Sequence, residues 1–271
     1  MGEPYTLRLS PEMRKGKLVL TGTGTSQGVP LIGCACEVCR SGDARDKRLR
    51  TSAYLSVEGR AIWVDPGPDF RQQVLRLGLK SVDALLVTHE HKDHTGGLDD
   101  VRGFNYSLDR DMDVYAWPRV LDRLKADYAY AFSDLKYPGI PRLDLHPITE
   151  TEIRVADIPL TVFEVMHHKL PVLAFRCGNV AYVTDTNYIS AASMAHLQGL
   201  DTLVLDALQP EPHLSHFTLE QSIELAQQLK PRRTILTHIS HRMGLYVERN
   251  ATLPQGIELG YDGLSVDFEV A

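Results

Sequence analysis

The segment Thr88-His89-Glu90-His91-Lys92-Asp93-His94 has the spacing H-x-H-x-D-H and indicates both the fold and the chemistry of the chain. The apolar residues 82–87 precede it and predict a short buried strand. The Thr-Gly-Gly at 95–97 follows it and predicts a turn into a helix. Because α/β proteins place functional side chains where strands end, we expect three imidazoles and a carboxylate to meet in one site.

These side chains are of the types that bind Zn, Fe or Mn. Four of them on six residues of loop would not surround one ion without strain, so we expect them to divide between two. His89 and His91 would face one ion, and Asp93 and His94 the other. The alternative, a solvated polar loop, is disfavoured because this spacing is rare by chance and ligand-type residues also stand at later strand ends.

A second candidate motif, Cys34-Ala35-Cys36-Glu37-Val38-Cys39, has the spacing C-x-C-x-x-C. Three thiolates this close suit a tetrahedral structural zinc, which needs one further ligand. A disulfide within C-x-C would be strained and would not persist in a reducing compartment. The remaining cysteine, Cys177, is expected in the core. With no signal-peptide layout at residues 1–6, this cysteine usage predicts a cytoplasmic protein.

Composition narrows the class of partner. The 271 residues carry a net charge of −6 and are 43% hydrophobic, which supports a sizeable core. An acidic chain is a poor candidate for binding long nucleic acids, but a small phosphate ester held by metal ions remains compatible with it. Since no apolar run approaches the ~18 residues of a membrane span, no membrane partner is expected.

The glycine-rich segment at residues 22–28 resembles a dinucleotide-binding loop only in composition. A dinucleotide loop opens directly into a helix, whereas Val29-Pro30-Leu31-Ile32-Gly33 does not. We interpret the segment as a loop packed close to the metal site.

Periodicity predicts alternating runs of strands and helices. Strands are predicted at residues 5–9, 17–22, 52–57, 61–65, 82–87, 112–116, 152–155, 159–165, 171–177, 180–184, 202–206, 234–237, 257–261 and 264–270, and helices at 70–77, 98–109, 118–129, 190–197 and 218–230. Lys15-Gly16 and Asp262-Gly263 are predicted to be turns between neighbouring strands, and the charged residues 40–50 a solvated segment. Eight aromatic residues between 104 and 137 either pack in the core or line a pocket or dimer contact; they are Phe104, Tyr106, Tyr115, Trp117, Tyr128, Tyr130, Phe132 and Tyr137.

The H-x-H-x-D-H motif after an apolar strand resembles the signature of the metallo-β-lactamase superfamily. Together with C-x-C-x-x-C and Thr237-His238-Ile239-Ser240-His241, it most resembles the PhnP-type phosphodiesterases of the carbon–phosphorus lyase pathway, over residues 18–271. The resemblance implies an α/β fold, an αββα sandwich of two mixed sheets with outer helices. It implies a single domain over 1–271 with internal halves of about 1–143 and 144–271, and a homodimer.

The resemblance also implies a ligand set. His89, His91 and His167 would hold one ion, Asp93, His94 and His238 the second, and Asp185 would bridge them, while His241 would complete the zinc site of Cys34, Cys36 and Cys39. His168 is a rival to His167, because a shift of one residue reverses the face of a strand. We prefer His167, since the first His after the strand resembles the PhnP pattern. Asp65 either orients the metal loop or begins a turn, and both interpretations stay open.

The implied activity is hydrolysis of a small cyclic phosphodiester, either 5-phosphoribosyl 1,2-cyclic phosphate or a 2′,3′-cyclic nucleotide. Two divalent ions ~3.5–4 Å apart lower the pKa of a bridging water, so that hydroxide can attack phosphorus. The leaving oxygen needs a proton, which the resemblance assigns to His216, and Asp93 joins His216 as a catalytic residue. Mn or Zn is implied at this site and Zn at the thiolates.

Two other functions compete with this prediction. An RNA-processing nuclease of the tRNase Z kind would carry a Gly/Pro-rich arm, which the sequence lacks. A non-catalytic carrier, like the B-type proteins of quinone-cofactor biosynthesis, would have lost active-site ligands, whereas every ligand position is filled here. Metal content would separate the enzyme from the carrier.

Overall fold

The computed structural model describes residues 13–134 and 139–271, so the predicted strand at residues 5–9 and Tyr137 lie outside the described residues. The described chain forms two seven-stranded sheets that pack face to face, with helices on both outer surfaces. The predicted αββα sandwich is therefore confirmed. We number strands β1–β14 and α-helices α1–α8 in chain order.

Both sheets are mixed, with an antiparallel half and a parallel half. The first sheet runs, in spatial order, β14 (Ser265–Val270), β1 (Arg14–Gly22), β2 (Ser52–Val57), β3 (Arg60–Val64), β4 (Ala84–Leu86), β5 (Met112–Ala116) and β6 (Leu143–Pro147). The second runs β13 (Ile257–Leu259), β12 (Arg233–Thr237), β11 (Thr202–Asp206), β10 (Val180–Val183), β9 (Leu170–Cys177), β8 (Ile158–His167) and β7 (Glu152–Val155).

The α-helices are short. They are α1 (Glu37–Arg40), α2 (Phe70–Leu77), α3 (Lys92–Thr95), α4 (Arg102–Leu108), α5 (Pro118–Asp127), α6 (Ala191–Ala195), α7 (Leu219–Leu229) and α8 (Tyr246–Ala251). Single 3₁₀ turns occupy Ala44–Asp46, Leu98–Val101, Ala129–Ala131 and His241–Met243. As predicted, α2 ends at Gly78, whose φ of 64° provides a left-handed cap. Helix α7 begins with a capping box between Thr218 and Gln221.

The parallel strands are apolar throughout because both of their faces are covered. In β11, Val204 points into the layer between the sheets, while Leu203 and Leu205 point toward the outer helices. On the first sheet, α2, α4 and α5 cover the outer face, where Phe104 and Tyr128 are buried. Of the aromatic residues in this region, Tyr106 is exposed and does not belong to that core.

The predicted turn at Lys15-Gly16 is wrong, because both residues lie inside β1. They pair with Glu269 and Phe268 of β14. A Cβ added to Gly16 would lie 2.3 Å from the Phe268 ring. The glycine is therefore needed for close contact with a ring and does not mark a turn.

The predicted hairpin at Asp262-Gly263 is also wrong. Strand β13 pairs with β12 in the second sheet, whereas β14 pairs with β1 in the first. The Asp262 carboxylate accepts hydrogen bonds from the Thr23 amide (2.9 Å) and the Leu49 amide (2.8 Å), which holds the turn where the chain crosses between sheets. Since β14 returns to the first sheet and β6 begins at Leu143, the sheets do not coincide with halves 1–143 and 144–271.

The charged segment 40–50 is not wholly solvated. Arg48 and Asp46 are buried, and both are hydrogen-bonded. Arg48 Nη1 donates to Thr23 Oγ1 (2.9 Å), and Asp46 Oδ1 accepts from the Tyr246 amide (2.8 Å). Burial is tolerated because each charged group has polar partners.

No helix within residues 13–134 and 139–271 is both long and apolar enough to cross a membrane.

Candidate metal centre

The predicted ligands converge where strands of both sheets end. His89 and His91 follow β4, and the single turn of α3 carries Asp93 and His94, so part of the predicted loop is helical. From the second sheet, His167 ends β8, Asp185 comes two residues after β10, and His238 follows β12 directly. The candidate site therefore forms only when the two sheets are packed together.

Four of these residues form a tight group, in which ligand atoms of Asp93, His94, Asp185 and His238 lie within 4.8 Å of one another. His94 Nε2 lies 3.3 Å from Asp185 Oδ1, and His238 Nε2 lies 3.3 Å from Asp185 Oδ2. Asp93 Oδ2 lies 3.3 Å from His94 Nε2. Asp185 is thus central to the group that was predicted to hold the second ion.

The other three predicted ligands, His89, His91 and His167, lie beside this group. His89 Nε2 is 3.0 Å from His91 Nδ1 and 3.9 Å from Asp185 Oδ2. The His167 ring centroid is 5.3 Å from that of His91 and 5.9 Å from that of His89. Asp185 therefore faces both predicted groups.

His167 and not its neighbour His168 belongs to the cluster. His167 Nδ1 lies 2.8 Å from the Ser215 carbonyl oxygen, so that Nε2 is left for the cluster. His168 is exposed in the following turn, where its backbone amide donates to Asn187 Oδ1 (2.7 Å). Because β8 ends at His167, the left-handed backbone of His168 (φ of 56°) in the turn directs its side chain away from the cluster.

Asp65 orients the imidazoles, which resolves the two interpretations left open for it. Its Oδ2 lies 2.7 Å from His94 Nδ1, and its Oδ1 accepts from the Thr88 amide (2.8 Å). Thr88 Oγ1 lies 3.0 Å from His89 Nδ1. With Nδ1 occupied in both histidines, Nε2 is the nitrogen that faces the cluster, which is the usual arrangement at metal sites.

Three residues of the cluster have left-handed backbone conformations that are uncommon for residues other than glycine. Asp65, Asp185 and His238 have φ of 57°, 48° and 58°, and each follows a parallel strand. Such conformations cost about 1–3 kcal/mol each and persist where the surroundings enforce them, typically at functional sites. They turn the side chain out of the strand direction and toward the cluster.

His216 is buried beside the cluster and is paired with Asp206, a residue that the sequence analysis left without a role. His216 Nδ1 lies 3.2 Å from Asp206 Oδ1, and its ring centroid is 4.4 Å from that of His167 and 4.5 Å from that of His238. Burial acts to lower the pKa of His216, but the Asp206 and Asp185 carboxylates together prevail and raise it to about 8. The sequence does contain a signal for Asp206, because this residue is the last of an apolar strand. Asp65 and Asp185 likewise stand just after strands.

Burial favours the neutral, metal-binding form of two imidazoles, those of His89 and His167. It lowers the pKa of His89 well below its usual range and that of His167 to about 4. Burial acts to raise the pKa of Asp185, but the imidazoles of His238 and His94 hold it well below its usual range. At His94 burial acts to lower the pKa, but the carboxylates of Asp185, Asp93 and Asp65 raise it well above its usual range. The arrangement therefore gathers carboxylate charge that favours a cation at the centre of the cluster.

His238 shows that these residues fit a metal ion. Within residues 13–134 and 139–271, its two ring nitrogens are buried without a partner in hydrogen-bonding geometry. A buried unpaired imidazole is costly, and coordination of a cation by one nitrogen removes that cost. The donor set of imidazoles and carboxylates suits Zn, Mn or Fe.

The predicted thiolate cluster is also assembled. Ligand atoms of Cys34, Cys36, Cys39 and His241 lie within 4.8 Å of one another, and His241 Nδ1 is 3.4 Å from the Sγ atoms of Cys34 and Cys36. The pKa of the Cys36 thiol is lowered to about 6, first by the Cys39 backbone amide and then by His241. Three sulfurs and one imidazole nitrogen match a tetrahedral zinc site.

The comparisons with known proteins place the chain in a family. Residues 60–239 match the β-lactamase superfamily domain. An octanoyltransferase of Porphyromonas gingivalis (strain ATCC BAA-308 / W83) is 41% identical over 251 residues, which cover 92% of this chain and 51% of that protein. The chain thus spans about half the length of this relative.

Two solved structures have the same fold. A diphosphatase from the PhnP family superposes with a TM-score of 0.90 at 39% identity, over 96% of this chain and 100% of that one. Zn²⁺-bound PqqB from Methylobacterium extorquens superposes with a TM-score of 0.74 at 21% identity, over 93% and 100% of the two chains. The second likeness concerns the fold alone. The chain belongs to the metallo-β-lactamase superfamily and, within it, to the PhnP-like proteins.

Proposed function

We propose that this chain is a metal-dependent hydrolase that cleaves phosphorus–oxygen bonds in a small phosphodiester. One observation carries the proposal: the Asp206–His216 pair lies directly beside the cluster centred on Asp185. A proton donor is thereby placed next to ligands for divalent ions, a combination that suits phosphoryl transfer to water. A carrier of the same fold would need neither the complete ligand set nor the buried pair.

We assign His89, His91 and His167 to one divalent ion, Asp93, His94 and His238 to a second, and Asp185 to both. When bound, such ions neutralise phosphoryl oxygens and make water more acidic. The implied metals are Mn²⁺ or Zn²⁺, with Zn²⁺ at Cys34, Cys36, Cys39 and His241.

The side chains of this chain account for the remaining chemistry. Hydrolysis adds water across the scissile bond, so that the hydroxyl group goes to phosphorus and a proton to the leaving oxygen. We assign the donation of that proton to His216 Nε2, because Nδ1 faces Asp206, whose carboxylate favours the protonated ring. Asp93, at the edge of the cluster, orients the water.

The preferred substrate is a cyclic phosphodiester, either 5-phosphoribosyl 1,2-cyclic phosphate or a 2′,3′-cyclic nucleotide, as the sequence motifs imply. A diphosphate linkage is the second candidate, because a PhnP-family diphosphatase is 39% identical to this chain. In both cases an oxygen leaves phosphorus, so the same residues serve. The net charge of −6 favours a small substrate over a long nucleic acid.

The name octanoyltransferase belongs to a relative about twice the length of the matched region. Acyl transfer is therefore an alternative activity, which the experiment below also tests. We further propose that the chain acts as a single-domain homodimer in the cytoplasm, as its resemblance and cysteine usage imply.

The test is hydrolysis of 2′,3′-cyclic AMP, 5-phosphoribosyl 1,2-cyclic phosphate, ADP and bis(p-nitrophenyl) phosphate by Mn-loaded protein. A His94→Ala variant and metal-stripped protein are the controls. Turnover of a cyclic diester that is lost in both controls supports the proposal, and turnover of ADP alone selects the diphosphatase. If no substrate is turned over although two ions are bound outside the thiolates, the proposal fails, and octanoyl thioesters and lactones are tested next.

A further inference from the structure

Glu90, the residue between His89 and His91 in the metal motif, is held by an arginine from a helix. Arg119 Nη1 donates to both carboxylate oxygens of Glu90 at 2.5 Å. Hydrogen bonds between a guanidinium and a carboxylate are among the stronger ones in proteins. The pair therefore fixes the stretch that carries both histidines.

The same guanidinium also reaches the second sheet. Arg119 Nη2 donates to the carbonyl oxygen of Pro171, at the start of β9. The β8–β9 hairpin, in which His167 pairs with Leu170, carries the third predicted ligand of the first ion. One side chain thus connects the stretch with His89 and His91 to the hairpin with His167.

Arg119 is itself held in place. It lies in the first turn of α5, directly after Pro118, and its guanidinium is 5.8 Å from the Trp117 ring centroid. The far end of α5 also contacts the metal motif, through an ion pair between Asp127 and Lys92 (2.7 Å). That second contact stays within the first half of the chain, so it does not tie the motif to the hairpin.

We propose that Arg119 is a positioning residue for the first ion, which keeps His167 in register with His89 and His91. The inference rests on the ligand assignment of the proposed function. These three histidines come from different sheets, and their ring centroids are 4.6, 5.3 and 5.9 Å apart. Arg119 contacts Glu90, between His89 and His91, and Pro171, in the hairpin that carries His167, so loss of the connection should affect the first ion selectively.

The experiment measures metal binding by the full chain. Mn²⁺ is titrated into protein whose thiolate cluster holds zinc, and electron paramagnetic resonance distinguishes a coupled Mn pair from a single Mn. Arg119→Ala should bind the first Mn²⁺ about 10–100-fold more weakly, the usual effect of removing a residue that orients ligands. The second Mn²⁺ and the zinc content should stay as in the wild type, and the spectrum should change from a pair to a single ion.

Three further variants sharpen the test. Arg119→Lys keeps the charge but cannot contact Glu90 and Pro171 together, so it should also weaken the first ion. Glu90→Gln removes the charge partner and should act in the same direction. Lys125→Ala is the matched control, since Lys125 lies on the same helix and its ion pair is with the exposed Asp122 (3.6 Å).

The outcomes separate the positioning role of Arg119 from the ligand assignment on which it rests. Wild-type affinity for both Mn²⁺ ions in Arg119→Ala and Arg119→Lys would overturn this inference alone. Equal weakening of both Mn²⁺ ions and the zinc would also overturn it, because Arg119 would then act on the whole fold. If Arg119→Ala does not fold, Arg119→Lys and Glu90→Gln carry the test. Failure of the wild type to bind a Mn pair would overturn the ligand assignment itself, and this inference with it.

Discussion

The histidine cluster around Asp185 and the thiolate cluster of Cys34, Cys36, Cys39 and His241 are built in opposite ways. The first draws side chains from both sheets and has a buried centre, since His94 and His238 are each 1% exposed, while His91 at its outer side is exposed. The second takes three of its four residues from the six-residue stretch 34–39, which ends in α1, and is half-buried, apart from Cys39.

The supports of the two clusters differ as well. Side chains such as Asp65 and Asp206 orient the imidazoles, whereas backbone amides of Leu31 and Cys39 donate to thiolate sulfurs, both at 3.4 Å. The clusters meet in sequence at Thr237-His238-Ile239-Ser240-His241, which contributes one residue to each. Under the proposed function, the histidine cluster serves chemistry, and we expect the thiolate cluster to stabilise the segment that delivers His238.

The largest effect should come from Asp185→Ala. It removes the carboxylate that faces both ligand groups, and the loss of several kcal/mol of transition-state stabilisation corresponds to ~10³-fold or more in turnover. Zinc at the thiolates should change little. The measurement is kcat with a cyclic diester, with the exposed Asp267→Ala as control. Turnover within tenfold of wild type would contradict the central position of Asp185.

His216→Asn should have the second largest effect, a loss of turnover whose size depends on the leaving group. A sugar alkoxide needs a proton, so its release should slow by about 10²–10⁴-fold. The p-nitrophenolate anion leaves without a proton, and bis(p-nitrophenyl) phosphate should lose far less. His213→Asn, which changes an exposed neighbour, is the control. Equal losses with both leaving groups would show that His216 is not the proton donor.

Asp65→Asn should weaken metal binding at the histidine cluster by about 10–100-fold, as expected for a residue that orients a ligand. The amide cannot accept from His94 and from Thr88 as the carboxylate does. Titration with Mn²⁺ measures the effect, and excess Mn²⁺ should restore most of the turnover. A variant with wild-type affinity would limit Asp65 to its role as a turn residue.

Cys36→Ser should act on stability and leave the chemistry largely intact. The variant should lose one zinc per chain, and its Tm should fall by about 2–4 °C for each kcal/mol of lost stability in a domain of roughly this size. Zinc analysis and calorimetry measure both effects. Turnover per folded molecule should remain within a few-fold of wild type. A larger loss would show that the thiolate cluster controls His238 directly.

Cys177→Ala should have the smallest effect. Cys177 is fully buried between the sheets and belongs to neither cluster. Removal of one buried atom costs ~1 kcal/mol, with zinc content and turnover unchanged. A changed zinc content would mean that this cysteine also contributes to metal binding.

Much of the fold was predictable because each element carries a local signal. Gly78 ends α2 through its left-handed conformation, and β5, β7 and β11 have their predicted bounds. The errors arose where a residue has a distant partner. Gly16 accommodates the ring of Phe268 and marks no turn. Asp262 does lie in a turn, but it binds amides from another part of the chain, and the strands on either side of it belong to different sheets.

For the candidate site, the sequence by itself determined which residues are available and that they stand at strand ends, because spacing and the period of two in strands are local properties. Only the tertiary structure decided that His167 and not His168 enters the cluster, that Asp65 orients His94, that Asp206 pairs with His216, and that Arg119 connects Glu90 to Pro171. Each of these contacts joins residues from distant parts of the chain, or depends on which face of a strand is buried. They exist only after the two sheets have packed, since packing sets the distances between side chains that no local pattern encodes.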